Sequence, residues 1–343
     1  RSYMLISRIL IVGHGSIGKR HLKLARSFFP NANIRVLRHL NNISTPKDSN
    51  GCFDNIEDAH SFAPQLAVIA NPATLHIEVA LKLVEQGVHL LIEKPIAATR
   101  DGIQLLLNLS KKNNTILLVG YNLRFLSSLQ QFRSALQKLT IGKVLSVRCE
   151  IGQFLPSWRP DTDYKQGVSA RRKLGGGALL ELSHEIDYLR WIFGEVEWVT
   201  ASLSKQSELD IDVEDTAHLI IGFTPKIDDK IKLIASVNLD FIRHDTTRLC
   251  TAIGDMGSLR WNGLAGTVEQ FNIKNKTWDE IYRDTEEDSY VSEWKHFLKC
   301  LSGHEKPLID GKDGLKVVEI IEAARQSSLD NKQVKVVYEN SED

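Results

Sequence analysis

Arg8-Ile-Leu-Ile-Val12 runs directly into Gly13-His14-Gly15-Ser16-Ile17-Gly18, and an amphipathic stretch follows from Ser16 to Phe29. The spacing G-x-G-x-x-G is common by itself. Set between an apolar strand and the opening of a helix, it reads as a phosphate-binding turn. Gly13 permits the tight turn, Gly15 lets a pyrophosphate approach the backbone, and Gly18 lets the helix pack close to the sheet. The helix N-terminus then offers free N–H groups and a positive dipole end to the phosphates. Gly13, Gly15, Ser16, Ile17 and Gly18 are therefore candidate dinucleotide contacts.

Working outward, strand and helix patterns alternate over the first 120 or so residues. Asn33-Ile-Arg-Val-Leu37, Ala67-Val-Ile-Ala70, Val88-His-Leu-Leu-Ile92 and Thr115-Ile-Leu-Leu-Val119 read as strands. Helical patterns lie at about Thr74 to Gln86, stopped by Gly87, and at Asp101 to Lys112. Such alternation implies a parallel sheet buried on both faces, a Rossmann-type doubly wound domain. Asn41 to Gly51, rich in Asn, Ser, Pro and Asp, reads as a loop.

After Gly120 the rhythm changes. Ser127 to Leu139 reads as a helix, Val144 to Ile151 as a strand and Gly177 to Phe193 as one long helix. Trp198–Leu203, Thr216–Phe223, Lys232–Asp240, Arg248–Ile253 and Val268–Ile273 follow as strands, with closing helices near Ser292–Leu301 and Gly314–Ser328. Strands in succession suggest a large, open, mostly antiparallel sheet in an α+β domain. The expected division is residues 4–122 for the dinucleotide domain and 123–340 for a substrate-binding and oligomerisation domain, with the closing helix a candidate to pack back on the first.

The bulk numbers agree with two soluble domains. At 343 residues the chain exceeds one ordinary core. Lys plus Arg balances Asp plus Glu at 43 each, so no overall field recruits nucleic acid or an anionic membrane. No apolar run approaches the ~20 residues needed to span a bilayer, and no signal peptide is expected. Cys52, Cys149, Cys250 and Cys300 form no C-x-x-C pair. A reduced, cytoplasmic chain is expected, with no zinc site; His14, His21 and His76 also fit no metal spacing.

Roughly twenty positions after Gly18, where an NAD-selective fold places an acid on the ribose 2′-OH, stands Arg38. An arginine there can pair with a 2′-phosphate instead, which favours NADP(H) over NAD(H).

Three further stretches carry a resemblance to one family: Ala70-Asn71-Pro-Ala-Thr-Leu-His76 through Gly87 to Glu93-Lys94-Pro95-Ile96; Gly175-Gly-Gly-Ala-Leu-Leu-Glu181-Leu-Ser-His184-Glu-Ile-Asp187; and Asp313 to Ala324. Together they resemble the Gfo/Idh/MocA oxidoreductases, named for glucose-fructose oxidoreductase and inositol dehydrogenase. The resemblance implies a nicotinamide-dependent dehydrogenase or reductase acting on a hydroxyl or keto carbon of a sugar, amino sugar, nucleotide sugar or cyclitol. It also implies a homodimer or homotetramer built through the C-terminal sheet. Asn71, His76, Glu93 and Lys94 join the candidate cofactor contacts. Two other readings exist on this fold: an NAD-dependent glycoside hydrolase, which needs no net redox turnover, and a non-catalytic cofactor-sensing regulator.

Lys94 follows a buried strand at the carboxyl edge of the sheet, where an ammonium can stabilise charge on a reacting oxygen. His184 suits proton transfer because imidazole titrates near neutrality. Family members often place an acid four residues before this histidine; here that position is Leu180. The orienting carboxylate is left open between Glu181 and Asp187. Tyr121 and Arg124 follow the last strand of the first domain, where the family's chain crosses near the nicotinamide. Trp158 can stack on a sugar face and Arg159 can pair with a carboxylate or phosphate.

Overall fold

The computed structural model describes residues 5–39 and 44–339; residues 41–43 of the expected loop, and the two ends, lie outside these. In chain order the elements are β1 (Arg8–Val12), α1 (Ser16–Phe28), β2 (Asn33–Leu37), β3 (Gly51–Phe53), α2 (Ile56–Ser61), β4 (Leu66–Ile69), α3 (His76–Val84), β5 (His89–Ile92), α4 (Ile103–Lys112) and β6 (Leu117–Val119). Then come α5 (Ser127–Gln137), β7 (Val144–Gly152), α6 (Ala178–Glu181), α7 (His184–Phe193), β8 (Val196–Ser204), β9 (Thr216–Phe223), β10 (Ile234–Asp240) and β11 (Thr247–Gly254). The chain closes with β12 (Gly257–Asn262), β13 (Thr267–Asn272), β14 (Thr277–Arg283), α8 (Ser289–Leu301), α9 (Gly311–Asp330) and β15 (Val334–Lys335).

Backbone contacts divide the chain into two units. One holds the residues up to Tyr121 together with Tyr290–Val318, and the other holds Asn122–Ser289 and the residues from Glu319 on. The division expected after residue 122 is thus followed by a return of the chain to the first unit. The reason lies in what Tyr290–Val318 covers. Val119 N–H donates to Ile309 O at 2.9 Å, Trp294 stacks on Phe28 with centroids 6.0 Å apart, and Gly311 and Gly314 lie against Leu107, Ile96 and Val119. The returning segment closes apolar surface that the first sheet and its helices leave.

In the first unit the sheet runs β3-β2-β1-β4-β5-β6, with parallel pairing throughout. β4 and β5 are buried at every position, and so is β1 after Arg8. Strands covered on both faces need continuous apolar sequence, which is why they read so clearly. Strand order reverses between β1 and β4, and ligands of such sheets bind beyond the carboxyl ends at that reversal.

The second unit carries a nine-stranded sheet in the order β14-β13-β12-β11-β7-β10-β9-β8-β15. Only the β7–β10 pair is parallel. Val147, Cys149, Leu219, Ile221, Val237 and Trp261 are buried on one face, and they alternate with residues such as Arg148, His218 and Asn238 on the other. One face is packed and one is open.

Two local expectations change. The helix expected over Gly177–Phe193 breaks at Leu182–Ser183 into α6 and α7. Glu181, His184 and Asp187 therefore do not share one continuous helix face. The last helix begins before the expected Gly314 because Asp310 and Asp313 cap it reciprocally: each backbone N–H donates to the other's carboxylate, at 3.0 and 2.9 Å. Among the described residues, no helix is long and apolar enough to cross a membrane.

Candidate functional site

The glycine turn is built by contrasts in space. A Cβ on Gly13 would lie 2.7 Å from Ala70 O, and one on Gly18 would lie 2.2 Å from Gly13 O. Gly13 also has φ +95°, a left-handed conformation that favours glycine. Gly15, the residue before α1, meets nothing within 4 Å, and both Gly15 and Ser16 are exposed. No side chain caps α1, so its leading N–H groups face open space.

Arg38 stands at the end of β2. Its Nη2 donates to Ser44 O at 2.6 Å, its Nη1 lies 3.3 Å from His14 Nδ1, and its Nε is buried without a hydrogen-bond partner. His14 titrates below the ordinary imidazole range because of partial burial, reinforced by the charges of Arg38 and Lys19. The Arg38 guanidinium thus sets a cation beside the turn, against the His14 ring. Beyond β4, Asn71 Oδ1 is likewise buried and unsatisfied. Open space over an uncapped helix N-terminus, with an orphaned acceptor nearby in the fold, fits a dinucleotide carrying phosphates and amide or hydroxyl donors.

His76 is among the expected cofactor contacts. It is 1% exposed; its Nε2 faces Asn71 O at 2.8 Å and its Nδ1 faces Pro95 O at 3.0 Å. Carbonyls only accept and a neutral imidazole carries one N–H, so the ring donates to one of these carbonyls and packs against the other, between the loop after β4 and the loop after β5. Burial pushes its pKa down, although those carbonyls and Glu93 pull the other way. Glu93 is also turned inward. Its Oε1 lies 2.7 Å from His21 Nε2 and its Oε2 accepts the Lys94 N–H at 3.2 Å. Lys94 is half-buried directly after β5, and the Lys94–Pro95 peptide bond is cis. Among the described residues, His21, Glu93 and Glu293 form a buried group whose donor atoms lie within 4.8 Å of one another.

Tyr121, which ends the first of the two segments of that unit, is fully buried. In the second unit His184 is the first residue of α7 and is half-buried, and Glu181 ends α6 half-buried. Asp187 is committed to Arg124: Nε donates to Oδ2 at 2.9 Å and Nη2 to Oδ1 at 2.7 Å, with both side chains at most 3% exposed. Trp158 donates Nε1–H to Gln153 O at 3.0 Å and sits edge-on to Phe241, so part of its ring is committed to packing. Arg159 is exposed.

Three groups escaped the sequence. Trp294 donates Nε1–H to His21 Nδ1 at 3.0 Å; Gly120 leaves room for the Glu93 carboxyl, which a Cβ would approach to 3.0 Å; and Glu214 accepts the Leu179 N–H at 3.0 Å, capping α6. Periodicity held a signal for His21 alone, since Gly18, His21, Leu22 and Ala25 form the buried stripe of α1.

Comparison with known proteins agrees with this architecture. The profile of the oxidoreductase family's NAD-binding Rossmann fold matches residues 7–121, and that of its C-terminal alpha/beta domain matches residues 133–336. Myo-inositol 2-dehydrogenase of Thermotoga maritima is 24% identical over 361 residues, covering 96% of this chain and 98% of that protein. A levoglucosan dehydrogenase solved with NADH superposes with a TM-score of 0.82 at 19% identity, over 97% of this chain and 99% of its own. The WlbA dehydrogenase from Bordetella pertussis, solved with NADH and UDP-GlcNAcA, gives 0.79 at 20% identity, over 98% and 100%. From its glycine turn to its last helix, the chain is a member of the Gfo/Idh/MocA oxidoreductase family.

Proposed function

We propose that this protein is a dehydrogenase or reductase that moves a hydride between a nicotinamide dinucleotide and a hydroxyl or keto carbon of a sugar, amino sugar, nucleotide sugar or cyclitol. The observation that carries it is the open, uncapped start of α1 at Gly15. Family membership supports the same reading, as do relatives named for myo-inositol and levoglucosan and a structural neighbour solved with UDP-GlcNAcA.

Gly13, Gly15, Ser16, Ile17 and Gly18 hold the pyrophosphate, and Asn71 Oδ1 accepts from the bound dinucleotide. Once bound, that cofactor supplies a ring that gives or takes the hydride. Lys94 binds the reacting oxygen and stabilises the charge that grows on it. His184 takes the hydroxyl proton in oxidation and returns it in reduction. His76 and Glu93 shape the loops around Lys94 instead of touching ligand. Arg38, with His14 beside it, pairs with a 2′-phosphate, so NADP(H) is preferred over NAD(H). Four free thiols suit a reducing compartment such as the cytoplasm. The open face of the nine-stranded sheet, where Ile220 and Ile234 are exposed, is the surface through which copies assemble.

The test is a screen of sugars, cyclitols and nucleotide sugars with each dinucleotide, following absorbance of the reduced nicotinamide. Net turnover on one substrate class with NADP(H) ahead is expected, and Arg38→Asp should reverse the cofactor order. Turnover without net redox change, or none alongside a bound dinucleotide, would overturn the reading.

A further inference from the structure

His21 lies three residues beyond Gly18 on α1 and is completely buried. An indole N–H can only donate, so the bond from Trp294 Nε1 requires His21 Nδ1 to carry the lone pair. The ring proton then belongs on Nε2, which faces Glu93 Oε1 at 2.7 Å. The other oxygen of that carboxylate accepts the Lys94 main-chain N–H. Gly120 keeps the space beside the carboxyl group clear. Four residues on α1, α8 and the turn after β5 thus form one connected set of hydrogen bonds that converges on a carboxylate: Trp294 donates to His21, His21 donates to Glu93, and Glu93 also accepts the amide N–H of Lys94.

We propose that Trp294 and His21 are positioning residues for Lys94. The indole selects the imidazole tautomer, the imidazole fixes the carboxylate, and the carboxylate holds the main chain from which the lysine projects. Because His21 rides on the helix whose first turn meets the pyrophosphate, the series also ties the lysine to the cofactor-binding turn. Second-layer partners of this kind set both tautomer and orientation of the group in front of them. The inference rests on the role proposed above for Lys94.

Nitrogen-15 NMR of the histidine-labelled protein reads the tautomer directly, with no need for activity. His21 should show a bare Nδ1 and a protonated Nε2, and Trp294→Phe should yield a mixture of tautomers. For function, His21→Asn places its amide near the Nδ1 position and loses the donor to Glu93, whereas His21→Gln places an amide donor near Nε2. His21→Asn should lower kcat on the order of 100-fold, as a misplaced reacting group does, with KM for both ligands little changed. His21→Gln should recover most of that loss. A wild-type Nδ1–H tautomer would overturn the proposal. So would equal loss in Asn and Gln variants that tracks their thermal stability, or a stoichiometric metal ion bound to His21, Glu93 and Glu293. Should Lys94→Ala keep full activity, the functional reading falls while the tautomer measurement stands.

Discussion

Arg124 grips Asp187 with two parallel hydrogen bonds inside the second unit, a fork-to-carboxylate pair withdrawn from solvent. Two charges taken out of water hold each other only while both are present. Removing one partner should therefore cost about 3–5 kcal/mol of stability. Arg124→Lys is expected to be costly too, because an ammonium cannot reproduce the planar fork. Urea unfolding of Arg124→Met, Asp187→Leu and the double variant measures the coupling. The double variant should be less destabilised than the sum of the singles; strict additivity would show that the pair does not act as a unit.

The two outer glycines of the turn and the middle one should fail in different ways. Alanine at Gly18 would force a Cβ to 2.2 Å from the Gly13 carbonyl oxygen, which the backbone must move to relieve. Overpacking of this kind costs about 1–3 kcal/mol, so the thermal midpoint of Gly18→Ala should fall. Gly15→Ala meets open space and should fold normally. Its methyl group occupies the approach of the pyrophosphate, so calorimetry should show weakened dinucleotide binding. A Gly15→Ala protein that binds normally would move the phosphate site elsewhere.

The contrast between these glycines and the rest of the site shows what sequence carries. Strands β1, β4 and β5 were legible because burial on both faces demands apolar runs. β3, three residues long, and β14, an edge strand with no buried position, were not, since neither carries an apolar pattern of its own. β12 was missed as well, its two buried residues too few to stand out. The places of the glycine turn before α1 and of Lys94 just past β5 are local features and could be read. Trp294 meets His21 across 273 residues and Arg124 meets Asp187 across 63, distances over which no periodicity speaks. The break between α6 and α7 depends on tertiary packing, so the one long helix expected over Gly177–Phe193 is two in the fold.

His89 makes acid stability testable. Its buried Nδ1 accepts the Ile116 N–H at 2.9 Å, and burial lowers its pKa below the ordinary imidazole value. Above pH ~6.5, where an unfolded histidine is neutral, the folded and unfolded states agree in charge and this contribution to stability is complete. Below it the unfolded chain takes a proton that the fold resists, so stability falls as pH drops toward the folded pKa. His76, shifted the same way, adds to the slope. Thermal midpoints should decline below pH ~6.5. His89→Asn, which keeps an acceptor for Ile116 but cannot titrate, should flatten part of that decline. An unchanged slope would assign the acid sensitivity to other groups.

Lys94 and His184 stand in separate units, and each should be dispensable for folding because both side chains are only half-buried. Their proposed work differs in kind. An ammonium that stabilises charge on oxygen contributes in both directions of reaction, and an imidazole that transfers a proton contributes according to its protonation state. Lys94→Ala and His184→Ala should each lower kcat by about 10²–10⁴-fold while dinucleotide affinity persists in calorimetry. Loss of dinucleotide binding in either alanine variant would instead make that residue a structural support of the cofactor site. Full activity in His184→Ala would transfer the proton to another group, for which Glu181, ending α6, is the first to substitute.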